Sequence, residues 1–332
     1  MDSRGVRYVA GKMSESYAVV VHVGPEPIEL QRLSDLMASF EAWEPRSWYW
    51  VLIDDSIDDR RLLQHVRLPR GSRAVGLRNP RRRTDAGRLM RLGAGTLAAL
   101  AHVRAHENTR FILKIDTDAL VIGPFVDAIT DIIMREPGAG LIGTIGDSSN
   151  PARRNVRKLE MVPRLVRMLE LVPESPAPIP PSDATLDVKG LGSVTPTQRR
   201  ALAIVGPHIR KALENGFTTL RYCQGGAYVV TPALLERMAE AGYFDTSHAW
   251  THISVGEDVL MAMYASAAGL RLIDCCGEGQ PFAVQWRGLP YEPSVLIANG
   301  YSLIHSLKSD PTYSESALRT YFAAARTVAN AV

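Results

Sequence analysis

Phe111-Ile112-Leu113-Lys114-Ile115-Asp116-Thr117-Asp118 is the stretch that decides the fold. The apolar run 111–115 reads as a buried strand, and it ends on two carboxylates. A side-chain period of two along a strand puts Asp116 and Asp118 on one side. Just upstream, residues 89–103 form an Ala/Leu-rich helical pattern. Two further apolar strands precede it: residues 17–23, closed by Gly24-Pro25-Glu26-Pro27, and residues 48–53, closed by Asp54-Asp55-Ser56. Between them, Ile28, Leu33, Leu36, Met37 and Phe40 recur at near-helical spacing. Strands alternating with helices predict an α/β, Rossmann-like fold with a mostly parallel sheet flanked by helices. Such sheets bind ligands outside the carboxyl ends of their strands. Asp54, Asp55, Asp116 and Asp118 all fall at that edge.

Beyond it the pattern changes. Residues 147–215 carry Arg153, Arg154, Arg157 and Lys158, then Pro173, Pro176, Pro178, Pro180 and Pro181. They read as an inserted, mostly helical and loop segment: a short helix, an irregular loop, and a helix around 198–213. Its broken periodicity predicts a lid, mobile without substrate and ordered over the site with it. Regular structure resumes with a strand at 228–230 and a helix at 232–241 that starts on Pro232. A helix at 257–268 puts Val259, Leu260, Met263, Tyr264 and Ala267 on one face. A strand at 270–274 and a Ser-capped helix at 314–328 complete the chain.

Composition narrows the class. With 332 residues, 46% hydrophobic and 22% charged, the chain can bury a full core, which excludes global disorder. A net charge of +3 does not mark a nucleic-acid binder, and none is expected as a partner. Cys223, Cys275 and Cys276 form neither a disulfide framework nor a zinc pattern, which fits a reducing cytosol. Residues 1–16 lack the order of a signal peptide. No apolar run approaches the ~20 residues of a membrane helix. The expectation is a cytoplasmic protein without a membrane span.

Four short segments carry chemistry. The paired carboxylates of Asp116 and Asp118 are hard oxygen ligands suited to Mn²⁺ or Mg²⁺. Such an ion can bridge two phosphates and stabilise charge on a leaving phosphate. Gln224-Gly225-Gly226-Ala227, ahead of the strand at 228, allows close backbone approach to a ligand. Gly256-Glu257-Asp258 opens a helix, whose dipole keeps Asp258 ionised as a general base. Glu257 points elsewhere on that helix and suits holding the acceptor or the loop. In Ile304-His305-Ser306-Leu307-Lys308, His305 can supply a third metal ligand and Lys308 can neutralise phosphate. The chain has only six lysines, which makes Lys308 more pointed. The basic run from Arg78 to Arg83 reads as a solvated loop, and Arg88 as a diphosphate contact. His102/His106 and His248/His252 lack the H-E-x-x-H pattern and read as surface or packing residues. No nucleophile elbow, P-loop or G-x-G-x-x-G fingerprint is present.

In this order, D-T-D at Asp116, G-G at Gly225, G-E-D at Gly256 and I-H-S-L-K at His305 resemble the elements of GT-A glycosyltransferases. The stretch 222–230, YCQGGAYVV, and Gly256-Glu257-Asp258-Val259 look like segments of the β1,3-galactosyltransferase and Fringe-like branch. The resemblance spans about residues 17–308 without the insertion. It implies a GT-A fold and transfer of a hexosyl or N-acetylhexosaminyl group. The donor would be a nucleotide-diphosphate sugar, UDP-sugar favoured. The acceptor would be a hydroxyl of a glycan, a lipid-linked or a small molecule. Asp116, Asp118 and His305 would hold Mn²⁺ or Mg²⁺, and Asp258 would be the base of an inverting reaction. Asp54 or Asp55 would lie near the base or ribose, with Arg88 and Lys308 on the diphosphate. Gln224, Gly225, Gly226 and Glu257 would form the acceptor and donor-sugar loop. The chain then divides into a flexible tail (1–16), a nucleotide-sugar-binding half (17–146), the insertion or lid (147–215), an acceptor-binding and catalytic half (216–310) and a C-terminal helix (311–332). The rival readings are a retaining transferase on the same scaffold and a non-enzymatic anion- or RNA-binding module.

Overall fold

The computed structural model describes residues 17–56, 60–80, 92–147, 161–170, 186–188, 192–218, 221–253 and 255–329. The expected flexible tail 1–16, the irregular middle of the expected lid, residues 81–83 and Arg88 lie outside these.

The first half builds the parallel part of the sheet. It runs β1 (Tyr17–Val23), α1 (Ile28–Trp43), β2 (Trp48–Asp54), β3 (Arg73–Arg78), α2 (Leu92–His106) and β4 (Ile112–Asp116). β1 and β2 are buried along their whole length, as parallel strands covered on both faces require. β5 (Leu120–Val121), α3 (Val126–Arg135) and β6 (Ala139–Asp147) follow. Next come α4 (Met161–Leu169), the antiparallel pair β7 (Leu186–Val188) and β8 (Gly192–Val194), and α5 (Pro196–Glu214). The chain ends with β9 (Arg221–Val230), α6 (Pro232–Glu240), α7 (Glu257–Ala267), β10 (Arg271–Asp274), β11 (Phe282–Val284), α8 (Pro293–Ala298), β12 (Leu303–His305) and α9 (Glu315–Ala329).

The central seven-stranded sheet has the order β10-β6-β9-β4-β1-β2-β3. β9 alone runs antiparallel to its neighbours β4 and β6; the other pairings are parallel. A small second sheet, β11-β12-β5, lies beside it. This is the mostly parallel α/β sheet that the sequence predicts. Leu36 and Phe40 of α1 and Ile129 of α3 pack on one face. Leu97 of α2, Leu234 of α6 and Leu260 of α7 pack on the other. α5 falls within the stretch read as an insertion, yet Leu202, Val205 and Ile209 are buried in the same core as α7. Thr195, the residue directly after β8, caps α5 in a reciprocal box with Gln198. Among the described residues, no helix is long and apolar enough to cross a membrane.

α9 is fastened to α1 by charge. Arg32 donates to both carboxylate oxygens of Glu315, at 2.8 and 2.5 Å. Arg319 reaches Asp35 at 2.6 Å and Glu315 at 2.9 Å, and it also donates to the backbone carbonyl of Thr117 at 3.2 Å. Thr117 is the middle residue of D-T-D, and its hydroxyl donates to Glu29 on α1. The network therefore braces the acidic turn from behind. Arg319→Met leaves Glu315 with Arg32 and Asp35 with Arg326 but removes the donor to the Thr117 carbonyl, and is expected to cost about 1–2 kcal/mol in urea unfolding. An unchanged unfolding midpoint would show that the network is not a brace.

Candidate active site

Asp116 closes β4, while Asp118 lies in the turn after it, held by Ala119 N–H donating to the Asp116 carbonyl at 3.1 Å. Strand alternation therefore does not reach Asp118; a turn brings the two carboxylates together. Leu307 N–H donates to the Asp118 carbonyl at 3.0 Å, which draws the end of β12 onto this turn. His305 Nε2 then stands 3.3 Å from Asp118 Oδ1 and 3.8 Å from Asp116 Oδ2. One ligand atom from each of the three lies within 4.8 Å of the others. His305 Nδ1 donates to the Gln285 carbonyl at 2.7 Å, which fixes the ring and aims Nε2 at the carboxylates. Asp118 Oδ2 takes the Ser306 hydroxyl at 2.6 Å and Lys308 Nζ at 3.2 Å. Asp118 Oδ1 is buried and accepts no hydrogen bond. Two hard carboxylates, one with an orphaned oxygen, and an oriented imidazole fit Mn²⁺ or Mg²⁺.

The electrostatics are those of a tight cluster. Burial alone would raise the Asp118 pKa, but His305, Lys308 and the Ser306 hydroxyl hold it well below the usual carboxylate range. Burial would lower His305, yet Asp118, Asp116 and the Gln285 carbonyl raise it above its ordinary value. Lys308 is raised as well: Asp118 and Asp116 outweigh its burial.

The glycine pair does not sit in a loop ahead of a strand. It lies inside β9, which runs from Arg221. β9 pairs with β6 at Tyr228↔Gly143 and again at Cys223↔Ile145, so residues 224–227 face a single β6 residue. Gln224-Gly225-Gly226-Ala227 is thus a bulge, a device that re-aims backbone next to sites. A Cβ on Gly226 would fall 2.2 Å from His305 Nδ1. That glycine makes room for the imidazole, where the sequence reading had it make room for a ligand. A Cβ on Gly225 would meet Asp258 Oδ2 and Glu257 Oε2, both at 3.5 Å. Consecutive glycines therefore separate the Asp-Asp-His cluster from the acid pair that opens α7. Gln224 is buried in the same bulge.

The sequence reading passed over Lys114. Its side chain is 1% exposed on β4, and Nζ donates to Asp116 Oδ1 at 2.6 Å and to the Gly225 carbonyl. Glu257 Oε2 lies 3.5 Å away, and Tyr228 donates its hydroxyl to Glu257 Oε1. Burial opposes the ammonium, but Asp116 and Glu257 raise its pKa further and keep it charged. The missed signal was one cation inside an apolar strand, two residues before an acid, in a chain poor in lysine. Glu257 is engaged with Lys114 and Tyr228 beneath the bulge. Asp258 is buried, with Oδ1 accepting the Val259 N–H at 2.9 Å.

The other predicted contacts lie at the ends of β2 and β3. Asp54 accepts from Ser56 N–H and Arg60 N–H, both at 3.0 Å, and from Arg60 Nη2 at 2.8 Å. Burial would raise its pKa, but these donors lower it. Asp55 accepts from Asn79 at 2.5 Å and faces His22 at 3.4 Å. Asp54 also lines a cleft of about 420 Å³ with Leu62, Leu77 and Arg78.

No family model matches the chain, and no curated protein matches it. Many solved structures are distantly similar, three of which follow. The apo structure of the WbbM bifunctional glycosyltransferase is 10% identical, covering 92% of this chain and 48% of that one, with a TM-score of 0.43. Core-mannan synthase A of Aspergillus fumigatus, in a Mn/GDP form, is 11% identical over 80% of this chain and 72% of that one, with a TM-score of 0.38. Residues 1–349 of S. aureus TarS are 12% identical over 75% of this chain and 55% of that one, with a TM-score of 0.36. The chain thus spans about half the length of the first. At this distance these are likenesses only, and the chemistry is read from the site's own residues.

Two measurements check the geometry. Gly226→Ala forces its methyl into the His305 ring, and overpacking of this kind costs about 1–3 kcal/mol. A melting temperature equal to that of the unaltered chain would contradict the placement. The raised His305 pKa gives a contribution to stability that is complete below the unfolded value, about 6.5. It is lost as pH rises through the folded value. The depressed Asp118 value acts at the other end: its contribution is present above about 3.9 and lost as pH falls through the folded value. Metal-free protein should therefore melt at lower temperature as pH climbs from neutrality, and His305→Gln should flatten that limb. A limb unchanged in His305→Gln would assign it to another group.

Proposed function

We propose that the chain is a metal-dependent glycosyltransferase of the GT-A plan. It would move a sugar from a nucleotide-diphosphate donor, UDP-sugar favoured, to an acceptor hydroxyl with inversion. One observation carries the reading: the Asp116–Asp118–His305 cluster and Asp258 flank adjacent glycines of one bulge. A metal and a carboxylate base would thereby be held a residue apart. The likeness of the 222–230 segment to the β1,3-galactosyltransferase and Fringe-like branch supports it.

Asp116, Asp118 and His305 would hold Mn²⁺ or Mg²⁺, which when bound stabilises negative charge on the departing diphosphate. Lys308, 45% exposed along its side chain, would leave Asp118 and donate to a phosphate oxygen. Asp54 and the cleft beside β3 would meet the nucleoside. Lys114 and Glu257 would hold the bulge, with Gln224, Gly225 and Gly226 beneath the transferred sugar. Asp258 would accept the acceptor's hydroxyl proton as its oxygen bonds to the anomeric carbon. The bond from that carbon to the diphosphate breaks on the opposite side.

Binding of UDP-sugar titrated with and without EDTA tests the donor half. Affinity should depend on the metal in the unaltered chain and lose that dependence in Asp118→Asn. Asp258→Asn should lower kcat by roughly 10²–10⁴ while donor binding persists. Metal-independent donor binding in both proteins would defeat the proposal. A product of retained anomeric configuration would replace inversion with the retaining mechanism.

A further inference from the structure

The described aromatic side chains divide sharply by exposure. Trp48, Trp50 and Trp250 are buried, and Trp43 is partly so. The exposed aromatics are Trp286 at 46%, Tyr291 at 49%, Tyr313 at 36% and Tyr321 at 42%. The first three fall on two loops, one after β11 and one after β12. These strands end at the candidate metal site.

The two loops are bound to that site and to each other. Gln285 N–H donates to the His305 carbonyl at 3.0 Å, and His305 Nδ1 donates back to the Gln285 carbonyl at 2.7 Å. Trp286 is the next residue. Gln285 Nε2 donates to the Arg287 carbonyl at 2.9 Å, and Ser306 N–H to the Gly288 carbonyl at 2.9 Å. Asp310 joins the loops by accepting from Leu289 N–H at 2.8 Å and Tyr313 N–H at 2.9 Å, and Tyr313 donates its hydroxyl to Glu292. The Arg287 guanidinium lies 4.3 Å from the Trp286 ring centroid and packs on an indole that is nearly half exposed. A large apolar ring left in water beside a candidate metal centre does nothing for the core. A ring restrained by a neighbouring cation lowers the entropic cost of receiving a ligand.

We propose that these loops form a carbohydrate-stacking subsite centred on Trp286, seating a pyranose ring of the acceptor beside the Asp116–Asp118–His305 cluster. The occupant follows from the chemistry. The axial C–H face of a pyranose carries partial positive charge and suits the negative face of an indole. Arg287 on the ring, and Glu292 and Asp310 on the same pair of loops, offer the mixed donors and acceptors that hydroxyl groups need. A lipid tail or an apolar peptide would leave those charges unmatched. Naming the acceptor's chemistry rests on the transferase reading; the stacking subsite itself does not.

Trp286 is also the exposed tryptophan, so its acrylamide quenching and emission report on the subsite directly. The full chain, without donor or metal, would be titrated with neutral, N-acetylated and acidic disaccharides. At least one should shield Trp286 from acrylamide. By calorimetry, Trp286→Ala should weaken that saccharide ~10-fold or more, while Trp286→Phe keeps most of the affinity. UDP with Mn²⁺, measured in parallel, should bind equally well to all three proteins. No shielding by any saccharide, or equal affinity in Trp286→Ala, would overturn the subsite. Shielding by neutral phosphatidylcholine vesicles in place of saccharides would also overturn it, in favour of a membrane contact. If saccharides bind but UDP with Mn²⁺ does not bind the unaltered chain, the transferase reading falls and the subsite stands.

Discussion

The arrangement depends on one buried ammonium. Desolvating a lysine is costly unless charge and hydrogen bonds meet it. Lys114 is met three times: by Asp116 on its own strand, by the Gly225 carbonyl on β9 and by Glu257 on α7. These partners come from three segments far apart in sequence, and each is itself a candidate for chemistry or its immediate neighbour. An unpartnered Lys114 at that depth would be untenable, so the fold that buries it must bring the D-T-D turn, the bulge and the acidic helix start together. The same contact gives Asp116 a preferred orientation and leaves its Oδ2 toward His305. Tyr228 closes the arrangement by hydrogen bonding Glu257 from beneath.

The bulge in β9 is the second constraint, and it is steric. A regular strand through residues 224–227 would carry side chains on alternate faces. Here two residues without side chains let a ring approach from one direction and two carboxyl groups from another. His305 can enter because Gly226 has nothing at the Cβ position. The ladder resumes beyond the two glycines, with Ala227 paired to Ile115 and Tyr228 to Gly143. The separation between the cluster and Asp258 is therefore set by backbone, which cannot rearrange as a long side chain can.

The strands whose chemistry is uniform could be read from sequence. The apolar runs at 17–23 and 48–53 have no other stable fate than a covered parallel sheet, and their ends fall within a residue of the expected places. The helices at 232 and 257 carry their start signals, proline after a threonine cap and acids in a first turn. β6 was not legible because its glycines interrupt the apolar pattern. They are there for contact: a Cβ on Gly146 would fall 2.6 Å from the Tyr222 ring, and one on Gly140 2.9 Å from Leu270. β9 extends seven residues ahead of the apolar run at 228–230, because a bulge at 224–227 with polar and glycine residues interrupts its pattern. Both misses have one cause. Local pattern reports which face of an element is buried, and it is silent about backbones pressed together by tertiary packing.

The candidate site shows the same division. Asp116, Asp118 and His305 were legible as residue types, because hard oxygen and imidazole ligands have few other uses at the end of buried strands. Their convergence was not legible. It depends on a turn that carries Asp118 off the strand and on Leu307 bonding back to it. Lys114 shows why such a gap is intrinsic. In sequence it is a charge in the wrong place, a defect in an otherwise apolar strand. Only the neighbours supplied by β9 and α7 turn the defect into the centre of the network. A cation that violates the pattern of its own strand is therefore a pointer to a site, provided that acids can be folded onto it. Here Asp116 two residues on, and Glu257 at a helix start, meet that condition.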